Sequence, residues 1–276
     1  MNTMDGSTNV WMALAPGLAI LGILLLALAV FLIRQPKFEQ KASRKTGSVL
    51  LPQVLIRYAY WLSESFVAPL DRLGLRPNHV TAFSVVLSTA AAGLIATGHL
   101  MSAAWVLFAA MACDLIDGLL ARSLDMQSSV GAFFDSFCDR ISEGVVFAGL
   151  AYYGRENLLF FLSLWGLVAS YMISYARGRG EGLGVDCKVG LMQRPERLLV
   201  LFFTLLLAPL IAAFGPGGVS QMQVVLTGIG LLAALSTITA GQRALWIMRA
   251  LSQTDPAAPD NAGRPSGSSS MAEASS

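Results

Sequence analysis

Seven apolar runs dominate this chain, at about residues 10–33, 79–98, 101–121, 131–153, 157–176, 197–214 and 222–248. Each is close to the roughly 20 residues that carry a helix across a bilayer. Composition agrees: 55% of the 276 residues are hydrophobic and 13% are charged, against about 25% charged in an ordinary soluble domain. The chain therefore reads as an all-α integral membrane protein. Its two histidines, His79 and His99, leave little scope for imidazole metal sites or Ser-His chemistry. Three scattered cysteines with no CxxC give neither a disulfide framework nor a zinc cluster. Cys113 and Cys138 are expected to be small buried fillers in a reducing compartment.

The leader before the first run, MNTMDGSTN, has no Lys or Arg, and the basic residues come after the run. A cleaved secretory signal has the opposite flanks and a shorter core. Residues 1–33 are thus expected to be a leading transmembrane helix with a short N-terminal tail, and 34–50 a basic cytoplasmic linker. Residues 51–251 form the main body. It opens with LLPQVLIRYAYWLSESFVAPLDRLGL, in which Arg57, Glu64, Asp71 and Arg72 interrupt apolar residues. With Tyr58, Tyr60 and Trp61, this segment suits an amphipathic helix lying in the membrane interface. RPNHVT ends it and offers Asn78 or Thr81 as the cap of the next helix. The segment 252–276, rich in Ser, Pro, Ala and Gly, is expected to be disordered.

Lys and Arg in short loops mark the cytoplasmic side. With the N-terminus outside, the eight basic residues from Arg34 to Arg76 fall on that side. So do the loop after Ala121, the loop holding Arg177, Arg179, Lys188, Arg194 and Arg197, and the late Arg243 and Arg249. Only Arg155 lies opposite.

Four aspartates, Asp114, Asp117, Asp135 and Asp139, break into this apolar pattern. An Asp at mid-helix in a bilayer costs about 2.5–3.5 kcal/mol, so something must neutralise them. Spacings of three and four put each pair on one helical face. A short turn joins the two helices, which should be antiparallel neighbours on which both pairs converge. Carboxylate oxygens suit Mg²⁺, Mn²⁺ or Ca²⁺, and four can hold two ions that share ligands. A proton relay in a carboxylate-based transporter, or ion pairs with Arg122 and Arg140, would also answer the cost. Gly118 and Gly131 favour a bound ligand, because each leaves backbone open to close approach. No internal repeat of paired, broken spans, common in transporters, is visible.

The order Asp114-x2-Asp117-Gly118-x2-Ala121-Arg122, eight residues, Gly131-x3-Asp135-x3-Asp139 resembles the signature of the CDP-alcohol phosphotransferases at every defined position. RPNHVT, DRISEG and RPERL look like the branch that makes phosphatidylinositol phosphate or phosphatidylglycerol phosphate. The likeness covers roughly 52–250, so that 51–251 would be the CDP-alcohol phosphotransferase domain. The fold it implies is a six-helix core with an N-terminal interfacial helix, here preceded by one extra span.

The resemblance implies two ions, Mg²⁺ or Mn²⁺. Asp114, Asp117 and Asp135 would ligate the first, Asp114, Asp135 and Asp139 would surround the second, and Asp139 would also be the general base. A CDP-diacylglycerol-type lipid would meet Asn78, His79, Val80, Thr81, Gly118, Arg122 and Ser128. Ser174, Arg177, Arg194 and Arg243 match the acceptor-phosphate residues. Arg177 departs from that branch, where Lys is common, and Gly178 and Gly180 stand where Ala is usual. The implied acceptor is a phosphorylated alcohol, foremost inositol phosphate, with glycerol 3-phosphate as the alternative. The partners implied are membrane lipids and a second copy of the chain in a homodimer, with no nucleic acid.

Overall fold

The computed structural model describes residues 22, 26–33, 53–187 and 189–254. A helical stretch at 26–33 precedes seven longer helices. These are α1 (Gln53–Arg72), α2 (Pro77–Ala96), α3 (Leu100–Ser123), α4 (Ser129–Tyr153), α5 (Leu158–Gly182), α6 (Arg194–Phe214) and α7 (Gln221–Thr254). A short 3₁₀ turn, Pro216–Gly218, links α6 to α7. There are no strands among the described residues.

The six predicted core segments are all present, with changes at their ends that follow from local chemistry. Neither Asn78 nor Thr81 caps α2. Arg76 is the N-cap, and Pro77 takes the first helical position, where its missing N–H costs nothing. The Ser128 side chain accepts a hydrogen bond from Gly131 N at 3.0 Å and starts α4. Asn157 does the same for α5 through Leu159 N at 2.9 Å. SYARGRGEG, expected to run into a loop, stays helical to Gly182, which shortens the α5–α6 connection. The helix of the last span continues to Thr254, past the expected start of the tail. The basic linker, most of the leading span and the rest of the tail lie outside the described residues.

Helices α2, α3, α6, α7, α5 and α4 pack in that order and close into a ring, with α1 outside against α3. Ile95, Leu107, Phe147, Leu150, Leu201 and Ile229 are among the buried side chains that fill its centre. The outer faces of α2 and α5 expose Phe83, Val86, Phe161 and Trp165, as lipid-facing helices do. Five helices, α2, α3, α5, α6 and α7, are long and apolar enough to cross a membrane. At 25 residues α4 is as long, but it carries Asp135, Asp139, Arg140 and Glu143, which lower its hydropathy. The protein is multi-pass. Residue 31 ties the leading segment to α1, where the Phe31 ring meets Tyr58 and Trp61 at 5.7 and 5.6 Å between centroids.

One expectation is corrected. Helices α3 and α4, joined by a short turn, are not one of the closely packed pairs, and both instead lean on α2. Contact between α2 and α4 is close because Gly149 has no side chain: a Cβ there would lie 2.9 Å from the Ala92 Cα. The splay between α3 and α4 leaves the room that the aspartates occupy.

Candidate active site

The last turns of α3, the first turns of α4 and the N-terminal ends of α2 and α6 build the site. Asp114 and Asp135 act as like charges on both Asp117 and Asp139, so the four carboxylates do converge. Asp117, 5% exposed, accepts a 2.6 Å hydrogen bond from the Thr81 hydroxyl on α2. Arg194, the first residue of α6, reaches between the other two helices. Its Nη2 donates to Asp114 Oδ2 and lies 2.7 Å from Asp139 Oδ1. Arg140 Nη1 adds a looser contact, 3.9 Å from Asp139 Oδ2.

The protein thus supplies part of the neutralisation itself. Of the two arginines the sequence suggested as counter-ions, Arg140 has a minor share and Arg122 folds beside Gly118, 3.4 Å from where a Cβ would stand. The principal counter-ion is Arg194. The ion pairs of Arg140 and Arg194 bring two positive charges to the four carboxylates. Among the described residues, no three acidic, His or Cys side chains are drawn tightly enough to cage an ion. The donor set still fits a divalent cation: it is all carboxylate oxygen and set on two helices.

The other predicted residues fall into separate groups. Asn78 and His79 are exposed, and Val80 and Thr81 are buried on α2. Asn78 approaches the start of α4, its Oδ1 being 3.6 Å from where a Gly131 Cβ would lie. Ser128 caps α4 as well as facing this end of the bundle. Ser174 donates to Ser170 O and lines an open groove of about 580 Å³ with Arg140, Tyr171, Met172 and Tyr175. Arg177 is exposed and ion-paired with Glu181 at 2.8 Å. Arg243 is 4% exposed and donates to Val189 O at 2.8 Å and Ile173 O at 3.0 Å. Of the four acceptor candidates, only Arg194 touches the carboxylates in an observed ion pair.

Sequence reasoning missed Glu143 and Arg197. They form a bidentate bridge, Nε to Oε1 at 2.7 Å and Nη2 to Oε2 at 3.1 Å, with exposures of 2% and 1%. The signal was present: Glu143 lies four residues after Asp139, and Arg197 three after Arg194, so each continues its partner's helical face. Arg197 looked like one more topology-setting cation. Cys113, Cys138 and Cys187 are free thiols; Cys138 is buried as expected and Cys187 is buried too, whereas Cys113, beside Asp114 on α3, is only partly buried.

Comparison with known proteins bears on this geometry. The profile of the CDP-alcohol phosphatidyltransferase family matches residues 75–241. The chain is 34% identical over 137 residues to archaetidylinositol phosphate synthase of Methanothermobacter thermautotrophicus, covering 49% of this chain and 69% of that one. It is 34% identical over 202 residues to phosphatidylinositol phosphate synthase of Mycobacterium marinum, covering 68% and 81%. Crystal structures of the Mycobacterium tuberculosis phosphatidylinositol phosphate synthase superpose with a TM-score of 0.61 at 32% identity. One, with CDP-DAG bound, covers 73% of this chain and 98% of that one; another contains manganese and citrate and is covered to 93%.

Proposed function

The chain belongs to the CDP-alcohol phosphatidyltransferase family, and from that premise we propose that it transfers a phosphatidyl group from CDP-diacylglycerol to an inositol phosphate, releasing CMP. Glycerol 3-phosphate is the alternative acceptor. Family membership takes the place of the transporter reading.

Asp114, Asp117, Asp135 and Asp139 would hold two divalent cations, Mg²⁺ or Mn²⁺, whose charge would neutralise the pyrophosphate and stabilise departing CMP. The N-terminal end of α2, with Gly118, Arg122 and Ser128, would receive the nucleotide. Thr81 keeps Asp117 oriented through its 2.6 Å bond. Asp139 accepts the proton of the acceptor hydroxyl, which frees that oxygen to form the new bond to phosphorus. The active site would face the cytoplasm.

Arg194 is the observation that carries the acceptor reading. A guanidinium that contacts the proposed base can also grip an acceptor phosphate through charge-assisted hydrogen bonds. A phosphate held there brings its own hydroxyl towards Asp139. Ser174, Arg177 and Arg243 would complete the acceptor side. A neutral polyol would leave Arg194 under-used, and a cationic alcohol would be repelled. The test is CMP release by purified protein in lipid nanodiscs with CDP-diacylglycerol, Mg²⁺ or Mn²⁺, and each acceptor in turn. Release with inositol phosphate is expected, and release with glycerol 3-phosphate alone would overturn the acceptor assignment.

A further inference from the structure

The Asp139–Arg194 contact is one of two charged rungs between α4 and α6. The second, Glu143–Arg197, lies one helical turn deeper and is almost sealed from solvent. Its third donor, Arg197 Nη1, bonds Met192 O at 3.0 Å, two residues before α6 begins. Arg197 therefore holds both the register of α6 against α4 and the chain that leads into Arg194.

The approach to Arg194 is fixed from the other side as well. Met192 N donates to the buried Thr239 hydroxyl at 3.2 Å, and Arg243 holds Val189 O. Gly190, at φ +112°, lies against the Thr239 methyl, where no other residue fits without strain.

Both rungs also border the same small cavity. Asp114, Asp139, Ser142, Glu143 and Arg194 line a space of about 10 Å³, at the lower limit for one water. Glu143 of the lower rung and Asp139 and Arg194 of the upper one share this lining, so the two rungs are packed as neighbours. A buried ion pair contributes little net stability compared with apolar residues of similar volume, so stability alone does not explain it.

We propose that Glu143 and Arg197 are positioning residues for the transfer: their buried bridge sets α6 against α4 and so holds Arg194 in place beside Asp139. The proposal rests on the transferase reading above. It predicts that losing the bridge injures acceptor use and leaves CDP-lipid binding largely intact, because the proposed nucleotide and ion contacts stand on α2, α3 and α4, whereas the bridge fixes α6.

The test compares wild type with the apolar double variant Glu143→Leu/Arg197→Met and with Arg197→Lys, which keeps the charge but loses the bidentate fork. Three quantities are read: thermal unfolding, CDP-diacylglycerol affinity, and kcat and KM for the acceptor by CMP release. The double variant should fold, since apolar replacement of a buried pair is often neutral or stabilising. Its acceptor kcat/KM should fall by at least about tenfold, the scale of one displaced charged hydrogen bond. CDP-lipid affinity should stay within about twofold of wild type, because the nucleotide and ion contacts do not use the bridge. Arg197→Lys should show the same split to a smaller degree, and it is the deciding variant if the double one does not fold. A folded variant with acceptor kcat/KM within about twofold of wild type overturns the proposal. So does loss of folding in both variants, which would make the bridge purely structural. A wild type that releases no CMP with any acceptor sinks the transferase reading itself, a separate outcome from the other two.

Discussion

A guanidinium set between two carboxylates can serve as counter-ion or as substrate ligand, and Arg194 is placed to be both. Its 25% side-chain exposure leaves it reachable from solvent, whereas Arg197 at 1% is not. Arg194→Gln should lower acceptor kcat/KM by about 10–150-fold, the equivalent of a charged hydrogen bond of about 1.5–3 kcal/mol. CDP-lipid affinity should change little, and steady-state CMP release with each substrate varied separately checks both. The same substitution removes a cation from Asp114 and Asp139, so Mn²⁺ titrated by electron paramagnetic resonance should bind Arg194→Gln more tightly than wild type. Asp139→Asn keeps the shape of the side chain but cannot take a proton. Turnover should fall by about 10²–10⁴-fold, the usual share of a general base, while CDP-lipid binding persists. Turnover within about tenfold of wild type, below that range, would remove Asp139 from the base role.

The helices divide the work between forming and meeting. Caps and prolines start them: Ser128 for α4, Asn157 for α5 and Pro77 for α2. Ser128→Ala should cost about 1 kcal/mol, visible as a lower unfolding temperature in detergent. Packing decides how closely they approach. At Gly149 the backbone of α2 leaves no space for a side chain, and any Cβ would overlap Ala92. Gly149→Val should push α2 and α4 apart and destabilise the protein by about 1–3 kcal/mol. Because Thr81 and Asp139 stand on those two helices, activity should fall even in the fraction that remains folded.

At the scale of the whole molecule, the alternating ring of six helices brings six helix ends to one face. The starts of α2, α4 and α6 and the ends of α3, α5 and α7 lie there, and the candidate site residues stand on them. Glu156, in the turn between α4 and α5, lies at the opposite end, and Gln253 is in the last turn of α7. Glu156→Cys and Gln253→Cys should react with a membrane-impermeant maleimide from opposite sides, Gln253→Cys from the cytoplasm. Labelling of both from one side would undo the span count and the cytoplasmic placement of the site.

The sequence by itself determined the core helices, five of them long and apolar enough to span, and the aspartate signature, because both are local. Hydropathy over about 20 residues marks a span, and spacings of three and four put Asp114 with Asp117 and Asp135 with Asp139 on shared faces. It could not say which cation meets which carboxylate. By position alone Arg177, Arg194, Arg197 and Arg243 read alike, as positive residues at cytoplasmic helix ends, and the family resemblance set apart only Arg177, Arg194 and Arg243. Tertiary structure gave them different roles: Arg177 pairs within its own helix, Arg243 clamps backbone carbonyls, Arg197 is locked to Glu143 and Arg194 to Asp114 and Asp139. Asp114 and Arg194 are 80 residues apart, and Glu143 and Arg197 are 54 apart. A charge is paired through space by whichever helix packing brings near, and α3 and α4, adjacent in sequence, splay apart so that α6 can supply the arginine.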